Sequence, residues 1–365
     1  MKTRRFIYAS ILIILAAIGG LVYIFLPRNS TSVVPPITIT EPTVVPTVPV
    51  TNAPDRKILS NDYHVYQSFN NCGPASLSMM LSYLGVKESQ EALGDALRPY
   101  QHPQGDNDDK SVTLDELARK AEEYGFIAFH RPNGNIRMIK QFIAADIPVL
   151  TRAWLKEGED IGHYRVVKGY DDTNGELVQD DSLQGKNLKY TYAQFNAIWD
   201  KFNYEYVVFV PKEKAKEVRQ ILGDEADEPT SWANAAKRSR ELLTQDPDNI
   251  YNRFNLSVAL YHTADYNGSV SEFERVETRL PKRTLWYQIE PIQAYAALNN
   301  VERVLSITES ILSNQNRAFS ELYIIRGDMY LKQGDKEAAR GEYQKAVEYN
   351  RNLKEAQNRL ASVGE

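Results

Sequence analysis

A unit of 34–35 residues recurs from about Lys216 to the C-terminus and restricts that part of the chain to one kind of architecture. The clearest copy runs Gly327-Asp-Met-Tyr330-Leu-Lys-Gln-Gly334-Asp335, followed by Ala339, Tyr343 and Ala346. Ser257, Leu260, Ser269, Phe273, Val276 and Pro281 belong to an earlier unit, Ile292, Tyr295, Val304, Thr308 and Ile311 to the next. A fragment with Ala235, Ser239, Leu242 and Pro247 precedes them. Small residues at fixed offsets let paired helices approach, and aromatics fill the gap. One unit cannot bury its own apolar face, whereas three or more stacked units share a core. Residues 213–365 are therefore expected to form an all-α solenoid of three or four repeats. Its concave groove suits a peptide or protein partner; the plainer reading is a packing platform or self-association surface.

The rest of the chain is bounded by composition. With 365 residues there is room for two modest domains plus extras. The charge is nearly balanced, 43 basic against 48 acidic residues, which leaves no overall electrostatic footprint for a nucleic-acid binder. A single cysteine excludes an intrachain disulfide and paired redox motifs, and none of the five histidines stands at metal-ligand spacing from another. Neither metal nor cofactor is expected.

Phe6 to Leu26 is 21 residues without a charge. At 1.5 Å per residue this is about 30 Å of helix, the thickness of the bilayer hydrocarbon. Lys2, Arg4 and Arg5 precede it and only Arg28 follows closely, so the positive-inside bias keeps the N-terminus in the cytoplasm. A cleaved signal peptide would have a shorter apolar region. Residues 1–27 are thus expected to be a cytoplasmic stub and transmembrane anchor in the cell membrane, with the C-terminal domains extracytoplasmic. Residues 28–56, rich in Pro, Thr and Val, read as an extended spacer.

Between residues 57 and 212 the pattern is mixed α and β. Gln67-Ser-Phe-Asn-Asn-Cys72-Gly73-Pro74 leads into a stripe of Leu77, Met80, Leu81 and Leu84 at helical spacing. Pro74 suits the first helical position and Gly85 the left-handed stop. The only thiol therefore sits at a helix N-terminus, where free amides and partial positive charge favour a thiolate. Downstream, Gly162-His163-Tyr-Arg-Val-Val-Lys-Gly-Tyr is followed by Asp-Asp-Thr-Asn-Gly and then Glu-Leu-Val-Gln-Asp180-Asp181-Ser182. This reads as a hairpin with Asn174-Gly175 in its turn. It brings His163 and an aspartate to the same end of a ribbon. A three-residue turn places Asp181 on the face of His163; a two- or four-residue turn selects Asp180, because a slip of one residue swaps faces. The three-residue turn is the favoured reading.

These motifs jointly resemble the papain-like cysteine peptidases related to the bacteriocin-processing, double-glycine-leader peptidases, family 39 of the cysteine peptidases. The resemblance covers roughly residues 60–211, including the closing Phe202-Asn-Tyr-Glu-Tyr-Val-Val-Phe-Val210 segment. It implies an α+β papain-like fold with a nucleophile helix packed on a small antiparallel sheet. Carried over by position, it implies Cys72 as nucleophile, His163 as general base, Asp181 as the group orienting the imidazole, and Gln67 in the oxyanion hole. Many relatives have Asp-Pro where this chain has Asp181-Ser182. Nothing resembles the ATP-binding cassette or multi-span membrane region that accompanies the leader-cleaving members. The C-terminal units resemble tetratricopeptide repeats, the last of them most closely.

Together these readings imply a membrane-anchored, extracytoplasmic cysteine peptidase acting on a peptide or protein substrate, with the repeats holding substrate or a partner. The same residues would also serve a thiol acyltransferase that passes the acyl group to an amine. A chain without turnover would be an adaptor or scaffold.

Overall fold

The structure, a computed structural model, describes residues 53–100, 111–313 and 316–364. The expected membrane span 6–26 and nearly all of the spacer 28–56 lie outside the described residues. Among those described, no helix is long and apolar enough to cross a membrane.

The first half of the described chain builds a seven-stranded antiparallel sheet. Its strands are β1 (Arg56–Ile58), β2 (Ile127–Arg131), β3 (Val149–Trp154), β4 (Gly162–Asp171), β5 (Glu176–Asp181), β6 (Gly185–Thr191) and β7 (Tyr206–Val210). The order is β2-β7-β3-β4-β5-β6, with β1 paired to the far half of β4. Side chains alternate with the period of two that a strand imposes. Val207 and Phe209 of β7 join a core under α1 (Cys72–Ser82) and α3 (Leu114–Glu122). Tyr206, Val208 and Val210 join the core on the opposite face, under α4 (Ile136–Ala144), α5 (Tyr192–Trp199) and α6 (Ala215–Leu222). Between α1 and α3 lies the short α2 (Gln90–Leu97).

Helix α1 buries Leu77, Met80 and Leu81 as their spacing predicts, and Gly85 ends the segment at φ +77°. Its start differs from expectation. Cys72 is the first helical residue and Pro74 the third, not the first. The amides of the whole first turn lack intrahelical acceptors, so a proline there breaks no bond.

The β4–β5 hairpin departs from the favoured reading in a way that matters. Its turn has four residues, Asp172 to Gly175, between the paired Asp171 and Glu176. On a regular ladder that turn would select Asp180. A bulge intervenes at Lys168: Gly169 pairs with Val178, but Val167 pairs with Gln179 and Arg165 with Asp181. One extra residue reverses the faces, and Asp181 returns to the side of His163. The bulged Lys168 places its ammonium 2.7 Å from Asp180, both side chains essentially inaccessible.

The second half of the described chain is helical. After α7 (Glu228–Gln245) come α8 (Ile250–His262) with α9 (Tyr266–Glu274), α11 (Glu290–Ala297) with α12 (Val301–Leu312), and α13 (Ser320–Lys332) with α14 (Lys336–Tyr349). These three hairpins, closed by α15 (Lys354–Ser362), share one apolar core. The repeat positions explain the pairing. Gly327 lies under the Tyr343 ring where a Cβ would collide, and Ser257 donates to the Ser269 carbonyl at 2.7 Å. A short irregular stretch between α9 and α11 carries the single turn α10 (Thr284–Tyr287).

Because Lys168 is the cation opposite a buried Asp180, Lys168→Met leaves a charge stranded. We expect a loss of about 3–5 kcal/mol, read by urea unfolding. A Lys168→Met, Asp180→Leu double variant should recover part of that loss; equal stability of the single variant and wild type would refute the role.

Candidate active site

The loop before Cys72 is pinned by buried polar bonds. Asn71 precedes the helix, but its side chain does not cap it. Its Nδ2 donates to Ser68 Oγ at 2.7 Å and its Oδ1 accepts from Arg98 Nη1 at 2.9 Å. Arg98 stands at the end of α2 and is itself buried. Cys72 thus enters α1 from a fixed backbone, half-buried and free of any disulfide.

His163, on β4, comes within hydrogen-bond reach of the Cys72 thiol through its imidazole. The Nε2 atom lies 2.8 Å from Asp181 Oδ1, which leaves Nδ1 for the thiol. His163 is 2 % exposed and Asp181 wholly buried, so water does not compete for this bond. Burial by itself pulls the imidazole pKa down; the hydrogen bonds to Asp181 and Cys72, with the charges of both, outweigh it and hold the pKa above the usual histidine value. Asp181 answers in the opposite sense. Burial pushes its pKa up, yet His163, the nearby Arg165 and the Gln184 amide bring it below the usual carboxylate value.

Asp181 is surrounded by donors. Oδ1 also accepts the backbone amides of Leu183 at 2.7 Å and Gln184 at 2.8 Å. Arg165 Nε stands 3.3 Å from Oδ2, poorly aligned for a hydrogen bond, so that contact is one of charge. The Arg165 guanidinium is held by the carbonyls of Trp154 at 2.8 Å and Leu155 at 2.5 Å. His64 Nε2 lies 3.0 Å from the Asp181 carbonyl oxygen.

Gln67 is tied to the same corner. Its backbone amide donates to the Ser182 carbonyl at 2.8 Å, and Ser182 Oγ donates to Gln67 Oε1 at 2.8 Å. With its oxygen occupied, the Gln67 amide has its NH2 end left to donate elsewhere. Ser182 is therefore a structural link between the Asp181 corner and the glutamine.

Of the residues named from sequence, His163 is hydrogen-bonded to Asp181 and interacts with the Cys72 thiol, and Gln67 is held beside them through Ser182. Asp180 points instead to Lys168 and accepts the Asn187 amide at 2.8 Å. Sequence reasoning missed Arg165, Ser182 and the Asn71–Arg98 pair. Arg165 was findable, since it lies two residues beyond His163 on the same strand face. Four exposed large apolar side chains, Tyr66, Phe69, Ile161 and Leu183, each lie within three residues of Gln67, Cys72, His163 or Asp181.

Residues 51–207 match the family model described as Peptidase_C39 like family. No curated protein matches the chain. Among solved structures, a C39-like peptidase from Bacillus anthracis is 19% identical, with a TM-score of 0.35, over 43% of this chain and 98% of its own. The peptidase domain of Streptococcus ComA, a bifunctional ABC transporter of a quorum-sensing pathway, is 20% identical with a TM-score of 0.32 over 40% and 97%. A thermophilic tetratricopeptide-repeat protein of Thermus thermophilus is 19% identical with a TM-score of 0.31 over 36% and 73%. The chain thus carries a sheet-bearing segment similar to the Peptidase_C39 like family, followed by a region of helical hairpins.

Proposed function

We propose that the protein is a cysteine peptidase working through Cys72, His163 and Asp181, and that residues 6–26 anchor it in the membrane with the later residues outside the cytoplasm. The observation that carries the reading is the buried run from Asp181 through His163 to Cys72. The thiol gives its proton to Nδ1 of His163, and the sulfur attacks the carbonyl carbon of a peptide bond. Negative charge then grows on the carbonyl oxygen, where the Gln67 NH2 and the Cys72 backbone amide are the donors. His163 returns the proton to the leaving amine, and water, deprotonated by the same imidazole, hydrolyses the thioester. Asp181 fixes the ring and steadies its charge. The exposed Tyr66, Phe69, Ile161 and Leu183, near the site residues in sequence, are candidate apolar contacts for a peptide. The helical region holds substrate or a protein partner.

Mass spectrometry of a peptide library treated with wild type and with Cys72→Ala tests the reaction. Cleavage products are expected only with wild type, and identical product sets would refute it. In parallel, His163→Ala should slow labelling of Cys72 by a thiol-directed epoxide severely; equal rates in the two proteins would break the pairing.

Gln67→Ala is expected to lower kcat on the order of 100-fold or more while KM changes little, the pattern of a donor used chiefly in the transition state. Ser182→Ala should give a smaller loss in the same direction, since it frees the glutamine without removing it.

The pH dependence has a definite sign. A raised His163 pKa gives folded-state stability that is complete below the unfolded histidine value and is lost as pH climbs through the folded one. A depressed Asp181 pKa gives stability that is present above the unfolded carboxylate value and is lost as pH falls through the folded one. Since His163 must carry the proton it delivers, the alkaline limb of kcat/KM should lie above the ordinary histidine range. Asp181→Asn should move that limb down by about one pH unit or more, as removal of an opposite charge does; an unmoved limb would exclude the carboxylate's role.

A further inference from the structure

Among the places where the helical region meets the sheet domain, two lie next to the thiol–imidazole pair, one beside each partner. At the first, Asn350 Nδ2 donates to the Leu97 carbonyl at 3.3 Å, and Asn352 Nδ2 to those of Asp95 and Ala96 at 2.8 and 3.1 Å. The following residue, Arg98, is the one that holds Asn71 beside Cys72. At the second, α10 is strapped to the segment that leads into His163. Arg283 pairs with Asp160 at 2.7 Å, and the buried Arg152 donates to the Tyr287 carbonyl at 2.8 Å. The Tyr287 ring lies against Gly162, the residue before His163, so closely that a Cβ there would stand 3.0 Å from ring carbons.

Tyr287 is held firmly where it stands. Its ring packs against the core of the sheet domain and against that of the helical region. Burial raises its phenol pKa, a hydrogen bond with the Gly162 backbone opposes this, and the charge of Cys72 adds to the rise. The side chain keeps part of its surface uncovered. An aromatic ring packed against two cores and partly exposed is a wall, not a hinge.

We propose that Tyr287 is a specificity-determining residue of the Cys72 site, its ring on Gly162 standing next to the imidazole that faces the thiol and limiting the bulk of what reaches Cys72. The proposal rests on the reading of Cys72 as nucleophile, but its test needs only a thiol that can be reached. In the full chain, Cys72 is alkylated with iodoacetamide, a small reagent, and with fluorescein-5-maleimide, a bulky one. Tyr287→Ala is expected to raise the bulky-to-small rate ratio about tenfold or more, in the range by which pocket shape discriminates. Tyr287→Phe, which keeps the ring, should hold the wild-type ratio, and Tyr287→Leu, which keeps apolar contact with both cores, should fall between. An alanine variant with the wild-type ratio overturns the proposal; should that variant fail to fold, a leucine variant with the wild-type ratio does so. A sluggish thiol slows both reagents together and leaves the ratio readable, so a failed peptidase reading is told apart from a failed wall.

Discussion

Everything at the candidate site depends on keeping one carboxylate ionised where water cannot reach it. Removing a charge of that kind from solvent costs several kcal/mol, and the cost is met only when hydrogen bonds and opposite charge surround it. Asp181 has that surround: two backbone amides and the His163 ring on Oδ1, and the Arg165 guanidinium near Oδ2. Its contacts also organise the neighbourhood. The amides come from the turn into β6, the arginine from β4, and the adjoining Ser182 reaches Gln67. The same carboxylate raises the basicity of the imidazole, which is the property a thiol partner requires.

The route by which Asp181 reaches this position is a lesson in register. Two aspartates stand side by side at the end of β5, and a strand sends neighbours to opposite faces. Turn length by itself favours Asp180. The bulge at Lys168 inverts that result and at the same time supplies the cation that Asp180 needs on the other face. A single inserted residue thus sorts two identical side chains into two environments, one with a histidine and one with a lysine. Bulges next to functional sites commonly serve to re-aim a side chain in this way.

The helical region is more than an appendage on the sheet domain. Asn203 donates to Asn255 through both its backbone and its side chain, and Trp154 at the end of β3 meets Tyr251 edge to face. Lys201 lies over both of those rings. These contacts tie the end of β3 and the residues before β7 to α8. A module that only recruited partners through a flexible joint would not need such a set. The repeat pattern explains how the hairpins stack, but the irregular turn between two of them is what approaches the site.

Local patterns in the sequence determined a good deal of this protein. Helical spacing of Leu77, Met80 and Leu81 placed α1 and put Cys72 at its start. Alternation around Asn174-Gly175 placed the β4–β5 hairpin, and the 35-residue offsets between Ser257, Ile292 and Gly327 placed the helical pairs. Each of these signals is carried by residues close in sequence, where backbone geometry alone ties spacing to a face. Tertiary structure decided the rest: which aspartate meets His163, that Ser182 holds Gln67, and that Tyr287 stands over Gly162. These depend on a one-residue bulge and on contacts between segments far apart in the chain, and neither periodicity nor turn chemistry reports on them. Burial supplied the final term, because the basicity of a histidine is set by the charges and the solvent it is left with after the chain has closed around it.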